Sequence, residues 1–323
     1  MFVDQFERKF SYLRLSVTDI CNFSCSYCLP DGYQCHYQHQ PLSLAEMTRL
    51  VKGFAANGLS KVRLTGGEPA VRKDLVHLIE ATANISGIET IAVTTNGYHL
   101  PQHIQDWKNA GLNAINISVD SLDAPLFKTI TGHDRLHEVL QGLEMALDLN
   151  LKVKINAVLL KGQNHTQLPL FLDFVKKRDI AIRFIELMQT GDNKSYFDRH
   201  HLSGNIIKQH LDKQGWKQLP RQVTAGPAVE YIHPNYQGKI GLIMPYSKDF
   251  CSSCNRLRVS SQGNLHLCLF ASKGHSLRFL LQRDEQQAEL ISHIESLLYQ
   301  KEKTHYLQDG YSGSTYNLSM LGG

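Results

Sequence analysis

The sequence predicts an α/β fold: a partial, six-stranded, open TIM-like βα barrel, followed by a C-terminal extension that carries a second cysteine cluster. Three observations predict it. Six short runs rich in Val, Ile, Leu and Thr alternate with helical patterns. Most of these runs put apolar residues on one face and polar residues on the other. The rhythm then breaks near Pro220.

The runs are Tyr12–Thr18, Lys61–Thr65, Thr90–Thr95, Ala114–Val119, Lys152–Leu159 and Ala181–Leu187. Between the first two, Ser43-Leu-Ala-Glu46 reads as a capping box, Met47, Leu50, Val51 and Phe54 recur at helical spacing, and Gly58 ends the helix. Further helical segments cover roughly Lys73–Ala83, Gln102–Ala110, Leu136–Leu149 and Gln167–Lys177. Strand–helix alternation implies parallel strands with right-handed crossovers.

Strand parity decides what kind of sheet this is. Leu13, Leu15 and Val17 oppose Arg14, Ser16 and Thr18; Val62 and Leu64 oppose Lys61, Arg63 and Thr65. Ile115, Ile117 and Val119 oppose Asn116, Ser118 and Asp120, and Val153, Ile155 and Ala157 oppose Lys152, Lys154 and Asn156. A flat parallel sheet covered on both faces is apolar on both, and a complete eight-stranded barrel is filled with aliphatic side chains. Six strands curved into an open barrel satisfy both faces: helices cover the apolar one, and the polar one lines something wet or liganded. In the sixth run Arg183 and Glu186 fall on opposite faces, which leaves its orientation open. Beyond Pro220, Val229–His233 and Lys239–Met244 read as a hairpin, and an amphipathic helix spans about Glu285 to Tyr299. The division expected is residues 1–220 for the barrel and 221–323 for the extension with its Gly322-Gly323 end.

Composition sets the class. With 42% apolar residues the chain has a sizeable core, and its net charge of +4 suits an anionic substrate without demanding nucleic acid. The start, MFVDQFERKF, has no apolar run of the signal-peptide kind, and no stretch is apolar enough to cross a membrane. The expected location is cytoplasmic. Thiols stay reduced there, so clustered cysteines point to metal or redox chemistry.

Six of the seven cysteines form two groups. Cys21, Cys25 and Cys28 are spaced C-x3-C-x2-C after the first strand; Cys251, Cys254 and Cys268 are spaced C-x2-C-x13-C. A structural zinc site closes with four ligands, whereas each group offers three soft thiolates. A 4Fe–4S cluster held by three thiolates keeps one iron open for chemistry. For the second group a zinc site completed by His266 is the alternative. Cys35 is left over as an ordinary loop cysteine, and His36 and His39 beside it are unassigned. Thr65-Gly-Gly-Glu-Pro69, Thr94-Thr-Asn-Gly97, and Ser118 with Asp120 end three strands at the barrel mouth, where active sites sit.

The cysteine triplet followed by a Gly-Gly-Glu-Pro loop resembles the radical S-adenosylmethionine superfamily. Phe250-Cys251-Ser-Ser-Cys254-Asn-Arg256-Leu-Arg258 with Cys268, Arg14-Leu-Ser-Val-Thr-Asp19, Arg63-Leu-Thr-Gly-Gly-Glu-Pro69 and the terminal Gly-Gly are similar to its GTP 3′,8-cyclase family of molybdenum-cofactor biosynthesis. The resemblance runs over about residues 10–323. Ile20 stands where that family often has a basic residue.

The resemblance implies a lyase with two 4Fe–4S clusters and S-adenosyl-L-methionine. It implies that Cys21, Cys25 and Cys28 ligate the first cluster, and Cys251, Cys254 and Cys268 the second. It also implies that Tyr27, Gly67, Ser118 and Met188 contact S-adenosylmethionine. Arg14, Arg63, Thr94, Lys154, Arg256, Leu257 and Arg258 would contact GTP, and the Gly-Gly tail would enter the active site. No side chain is assigned a catalytic role, since the radical derives from the cofactor. The product would be 3′,8-cyclo-7,8-dihydro-GTP, consumed by a cyclic pyranopterin monophosphate synthase. Other partners would be an electron donor and a second copy in a homodimer, but no nucleic acid and no membrane. The residues agree with this chemistry: Arg14, Arg63 and Lys154 lie on the polar strand faces, and arginine forks match phosphate oxygens. Two rival readings are another radical enzyme with an auxiliary cluster, such as a peptide modifier, and a zinc-stabilised nucleic-acid binder.

Overall fold

The computed structural model describes residues 1–34, 40–221, 225–313, 315 and 317–322. Cys35, His36, His39 and Gly323 lie outside these residues. The core is six parallel strands: β1 (Tyr12–Thr18), β2 (Lys61–Gly66), β3 (Thr90–Thr95), β4 (Ala114–Ser118), β5 (Lys152–Leu159) and β6 (Ala181–Glu186). Their bounds fall within one residue of the sequence expectation. Six shorter strands follow: β7 (Lys217–Gln218), β8 (Val229–Ile232), β9 (Lys239–Ile243), β10 (Arg256–Val259), β11 (Asn264–His266) and β12 (His275–Ser276).

All twelve form one sheet in the order β12-β11-β10-β1-β2-β3-β4-β5-β6-β9-β8-β7. The expected hairpin is β8–β9, and β9 adds parallel to β6. On the other side β10 adds parallel to β1, placing Arg256 beside Tyr12 and Arg258 beside Arg14. The extension thus lengthens the barrel wall at both edges.

The helices are α1 (Leu44–Ala56), α2 (Leu75–Ala83), α3 (Leu100–Asn109), α4 (Ala124–Thr131), α5 (Leu136–Asp148), α6 (Leu168–Lys176), α7 (Lys194–His200), α8 (Asn205–Lys213) and α9 (Gln287–Leu298). The capping box at α1 is present: the Glu46 amide donates to Ser43 Oγ at 3.2 Å, and the Ser43 amide donates to Glu46 Oε2 at 2.8 Å. Helices α4, α7 and α8 were not expected. The first was legible, because Asp123 caps it by accepting from the Leu126 amide at 2.9 Å and Gly132 ends it at φ +77°. The other two are short and lack a side-chain cap, so local sequence marks them poorly.

Strand parity is realised as predicted. Leu13, Leu15, Val17, Val62, Leu64, Ile115, Ile117, Val153 and Ile155 are buried in one core beneath the helices. The polar faces are enclosed as well: Ser16, Arg63, Thr65, Asn116 and Arg183 are all buried. No helix among the described residues is long and apolar enough to cross a membrane.

Candidate active site

Parallel strands give the barrel two chemically distinct ends. Cys21, Cys25 and Cys28 follow the C-terminal end of β1. Cys251 and Cys254 precede β10, which runs parallel to β1, and Cys268 follows the antiparallel β11. Topology therefore sets the second triplet at the other end of the strands. A cavity of about 370 Å³ contains all three cysteines of the second triplet, the inward faces of β1, β2, β5 and β6, and Met188.

The first triplet is anchored by backbone. Cys28 and Leu29 amides both donate to the Cys25 carbonyl at 2.9 Å, while Ser26 N–H donates to Ile130 O at 2.9 Å. The Gly-Gly-Glu-Pro loop closes over this segment: Gly67 N–H donates to Thr18 O at 2.9 Å and Glu68 N–H to Ile20 O at 2.8 Å. A Cβ at Gly66 would lie 2.1 Å from Thr18 O, and one at Gly67 would lie 2.3 Å from Ile20 O. Both glycines therefore serve a close approach of two loops within the chain. The Glu68 carboxylate staples the next loop, accepting from Thr95 Oγ1 at 2.7 Å, Asn96 N at 2.6 Å and Ala70 N at 2.9 Å. Tyr27 donates to Asp120 Oδ2 at 2.9 Å, tying the triplet to the end of β4.

Charge differs between the triplets. Burial, with Glu68 nearby, pushes the Cys21 thiol up to about 11. Burial and the neighbouring Asp120 and thiols push Cys25 well up, and burial beside Cys21 and Asp192 pushes Cys28 up to about 12. In the second triplet burial also raises the thiols, but cations oppose it. Arg256 and Lys301 outweigh burial and bring Cys254 down to about 7, and His305 brings Cys251 below its ordinary value. Cys268 stays raised by burial, against the pull of Lys301.

The cavity beside the second triplet is a crowd of cations. Burial and then the mutual repulsion of Arg183, Lys61 and Arg63 bring Lys154 down to about 7. Burial and Arg256 bring Arg258 down to about 10, and burial with Arg183 and Arg256 lowers Arg63. Glu230 offsets part of this charge, with an oxygen 3.3 Å from Arg183 Nη2. Several inward polar atoms are buried without a hydrogen-bond partner: Ser16 Oγ, Arg63 Nε, Thr94 Oγ1, Asn116 Oδ1, Asn156 Oδ1 and Arg183 Nε. Of these residues Arg63, Asn156 and Arg183 line the cavity; buried polar groups are normally satisfied, so these three fit a polar, anionic ligand.

The donor sets fit iron–sulfur clusters. All six triplet cysteines are free and partly buried, and the thiols of each triplet lie within electrostatic reach of one another. Among the described residues no three His, Cys, Asp or Glu side chains are disposed around a single ion. Each triplet supplies three thiolates, one short of the four ligands that close a structural zinc site. His266, the alternative zinc ligand, is instead pressed by Gly274, where a Cβ would lie 2.6 Å from Nε2.

The structure brings Arg14, Arg63, Lys154, Arg256, Arg258 and Met188 to the cavity wall. Leu257 differs: it pairs with Leu13 on the apolar face and is buried in the core, so its side chain does not line the cavity. Thr94, Tyr27, Gly67 and Ser118 are not among the residues that line this cavity: Tyr27 is tied to Asp120 just beyond β4, which Ser118 ends, and Gly67 donates to Thr18 O at the end of β1. Sequence reasoning missed Arg183, Glu230 and His305 as lining residues; Lys61 shared the polar parity of Arg63 but was given no role. The tail packs against Arg258 of the cavity wall. Arg258 Nη1 donates to the carbonyls of Leu321 at 3.0 Å and Gly322 at 3.1 Å, and amides of Leu318 and Ser319 donate toward Cys28. Gly322 has φ +58°, and a Cβ there would lie 2.3 Å from Thr65 Oγ1, so the end must be glycine to fit.

A model of the radical SAM superfamily matches residues 15–175, and one described as Molybdenum Cofactor Synthesis C matches residues 180–307. A relative from Vibrio vulnificus (strain CMCP6), named GTP 3′,8-cyclase, is 53% identical over 325 residues, covering 100% of this chain and 97% of its own. The chain belongs to the GTP 3′,8-cyclase family of radical S-adenosylmethionine enzymes. A family member from Yersinia pestis is 54% identical, covering 99% of this chain and 98% of its own. Among solved structures, Streptococcus suis SuiB bound to S-adenosylmethionine aligns with a TM-score of 0.63 at 14% identity, covering 96% of this chain and 76% of that one. That likeness bears on the fold, which it shares with this family.

Proposed function

We propose that the chain converts GTP to 3′,8-cyclo-7,8-dihydro-GTP, the first step of molybdenum-cofactor biosynthesis, and that the residues of its cavity divide the task as follows. The observation that carries this reading is the cationic cavity, whose wall also holds the thiol triplet Cys251, Cys254 and Cys268. When bound, the two 4Fe–4S clusters and S-adenosylmethionine supply an electron, a hydrogen-abstracting radical and an open iron that takes the guanine.

Cys21, Cys25 and Cys28 hold the first cluster, and Cys251, Cys254 and Cys268 the second. Tyr27, Gly67, Ser118 and Met188 shape the S-adenosylmethionine end. Arg14, Arg63 and Lys154, joined by Lys61 and Arg183, hold the triphosphate through charge-assisted hydrogen bonds. Arg256, Arg258 and the backbone at Leu257 orient the nucleoside end against the second triplet, and Thr94 and Asn116 offer neutral polar contacts from the middle strands. Fixing both ends of GTP holds the ribose and C8 in one arrangement, which is the entropic part of catalysis. Enclosure keeps water and stray hydrogen donors away from a reactive centre. Arg258 has a second task, gripping the Leu321 and Gly322 carbonyls and so closing the cavity with the tail.

The location we propose is the cytoplasm, where thiolate ligands stay reduced. A reductant protein supplies the electron, and a cyclic pyranopterin monophosphate synthase consumes the product. The test is anaerobic purification with iron and sulfide counted, then incubation with GTP, S-adenosylmethionine and dithionite. Methionine, 5′-deoxyadenosine and a GTP-derived cyclised product in equal amounts are expected. Deoxyadenosine without any GTP-derived product would contradict the assignment, and zinc in place of iron would contradict the whole class.

A further inference from the structure

Beside Cys251 lies a group that the GTP and S-adenosylmethionine contacts do not use. His305 is buried at 8% exposure, its ring centroid 5.8 Å from that of Phe250 and 5.6 Å from that of Phe270. These phenylalanines neighbour Cys251 and Cys268 in sequence. The Leu307 amide donates to His305 Nδ1 at 3.3 Å, which makes Nδ1 the acceptor and leaves the ring proton on Nε2. Nε2 is buried and has no hydrogen-bond partner, sulfur included. The Cys251 thiol is its neighbour, and the His305 ring and amide draw that thiol below its ordinary value. A neutral thiol accepts hydrogen bonds weakly; a thiolate on iron accepts them well.

The position of this segment is fixed from the other end of the chain. Arg8 donates to the Cys251 carbonyl at 3.2 Å, the Lys303 carbonyl at 2.9 Å and the Glu302 carbonyl at 2.7 Å. Its Nε closes on Asp4 Oδ2 at 2.6 Å, with both side chains buried. One guanidinium therefore ties the backbone of Cys251 to the two residues that lead into Thr304 and His305.

We propose that His305 is a positioning residue for the second cluster: its Nε2–H donates to the Cys251 sulfur, and this bond raises the reduction potential of the cluster held there. Hydrogen bonds to cluster sulfurs withdraw electron density and favour the reduced, more negative state. The Asp4–Arg8 strut keeps donor and sulfur in register. The inference rests on the reading that the second triplet carries a cluster.

The experiment uses the reconstituted holoenzyme labelled with ¹⁵N-histidine. Iron is counted first: one cluster per chain would overturn the two-cluster reading itself, and this inference with it. With two clusters present, pulsed EPR is recorded on the reduced signal that responds to GTP and not to S-adenosylmethionine. A coupling to one histidine nitrogen is expected, and its absence in the wild-type protein overturns the proposal. His305→Phe, with its iron intact, should lose that coupling and shift the midpoint potential of the same signal to a more negative value. His305→Gln places an amide N–H near the site of Nε2 and should recover most of the shift. An unchanged midpoint in an iron-replete His305→Phe enzyme overturns the proposal. Should His305→Phe lose the second cluster, the wild-type coupling decides.

Discussion

The two cysteine triplets present the same count of thiols in opposite surroundings. Cys21, Cys25 and Cys28 sit among Glu68, Asp120 and Asp192, and burial near those carboxylates keeps the thiols protonated until iron displaces the proton. Cys251 and Cys254 sit among Arg256, Lys301 and His305, which draw them toward thiolate. One end of the barrel suits a cationic guest and the other an anionic one. S-adenosylmethionine carries a sulfonium, and GTP carries a triphosphate. We propose that this difference in field, together with the cation wall that leads from the second triplet, sorts the two molecules between sites of equal ligand count.

The comparison breaks most visibly when one thiol is removed from each side. Cys28→Ala should abolish 5′-deoxyadenosine formation altogether. Cys254→Ala should keep slow, uncoupled deoxyadenosine formation and lose the cyclised product, as chromatography of the two products will show. Next in size is the cation wall. Arg63→Ala should raise the KM for GTP about 10- to 100-fold, the range expected for losing a hydrogen bond to a charged group. S-adenosylmethionine affinity should hardly change; a comparable loss for both would mean that the field does not sort them.

A smaller effect belongs to Lys154. Burial and its cationic neighbours bring it down to about 7, so at pH 8 the free enzyme holds it mostly neutral. A bound triphosphate favours the charged form, so binding takes up a proton and GTP affinity falls as pH rises from 7 to 9. Calorimetry in buffers of different ionisation enthalpy should show the uptake, and Lys154→Met should remove it. The smallest effect lies outside both triplets, at Glu46. Burial alone would raise this carboxyl, but the Ser43 amide, Arg278 and Gln282 hold it down to about 2. Arg278 Nε reaches Glu46 Oε1 at 2.9 Å, tying α1 to the C-terminal extension. The ionised form therefore adds stability above the ordinary carboxylate range, and that stability fades as pH falls toward 2. Glu46→Gln should flatten the acid limb of thermal melting curves while leaving both cofactor sites unchanged.

Much of the fold was legible because parity and capping are local. Arg14, Arg63 and Lys154 could be placed on the inward faces from alternation alone, and Ser43 with Glu46 announced α1. Arg183 could not, because its strand carries charge on both faces, and only distant segments, Glu230 for Arg183 and Gly204 for Glu186, supply the partners of each. The parallel pairing of β10 with β1 joins residues some 240 positions apart, as Arg14 beside Arg258 shows, and no local pattern encodes it. Glu230 and His305 reach the cavity by the same long-range return. The Gly-Gly end read as a flexible terminus until Arg258 and Thr65 gave its last described glycine a place.

The central claim is that the two ends of one barrel sort two guests. The most direct test records EPR spectra of two full-length variants, one with Cys21, Cys25 and Cys28 changed to serine and one with Cys251, Cys254 and Cys268 changed to serine. Each is titrated separately with GTP and with S-adenosylmethionine. The account predicts a crossed pattern: GTP alone shifts the signal of the cluster held by Cys251, Cys254 and Cys268, and S-adenosylmethionine alone shifts the signal of the other. A GTP-dependent shift at the cluster held by Cys21, Cys25 and Cys28 would contradict it.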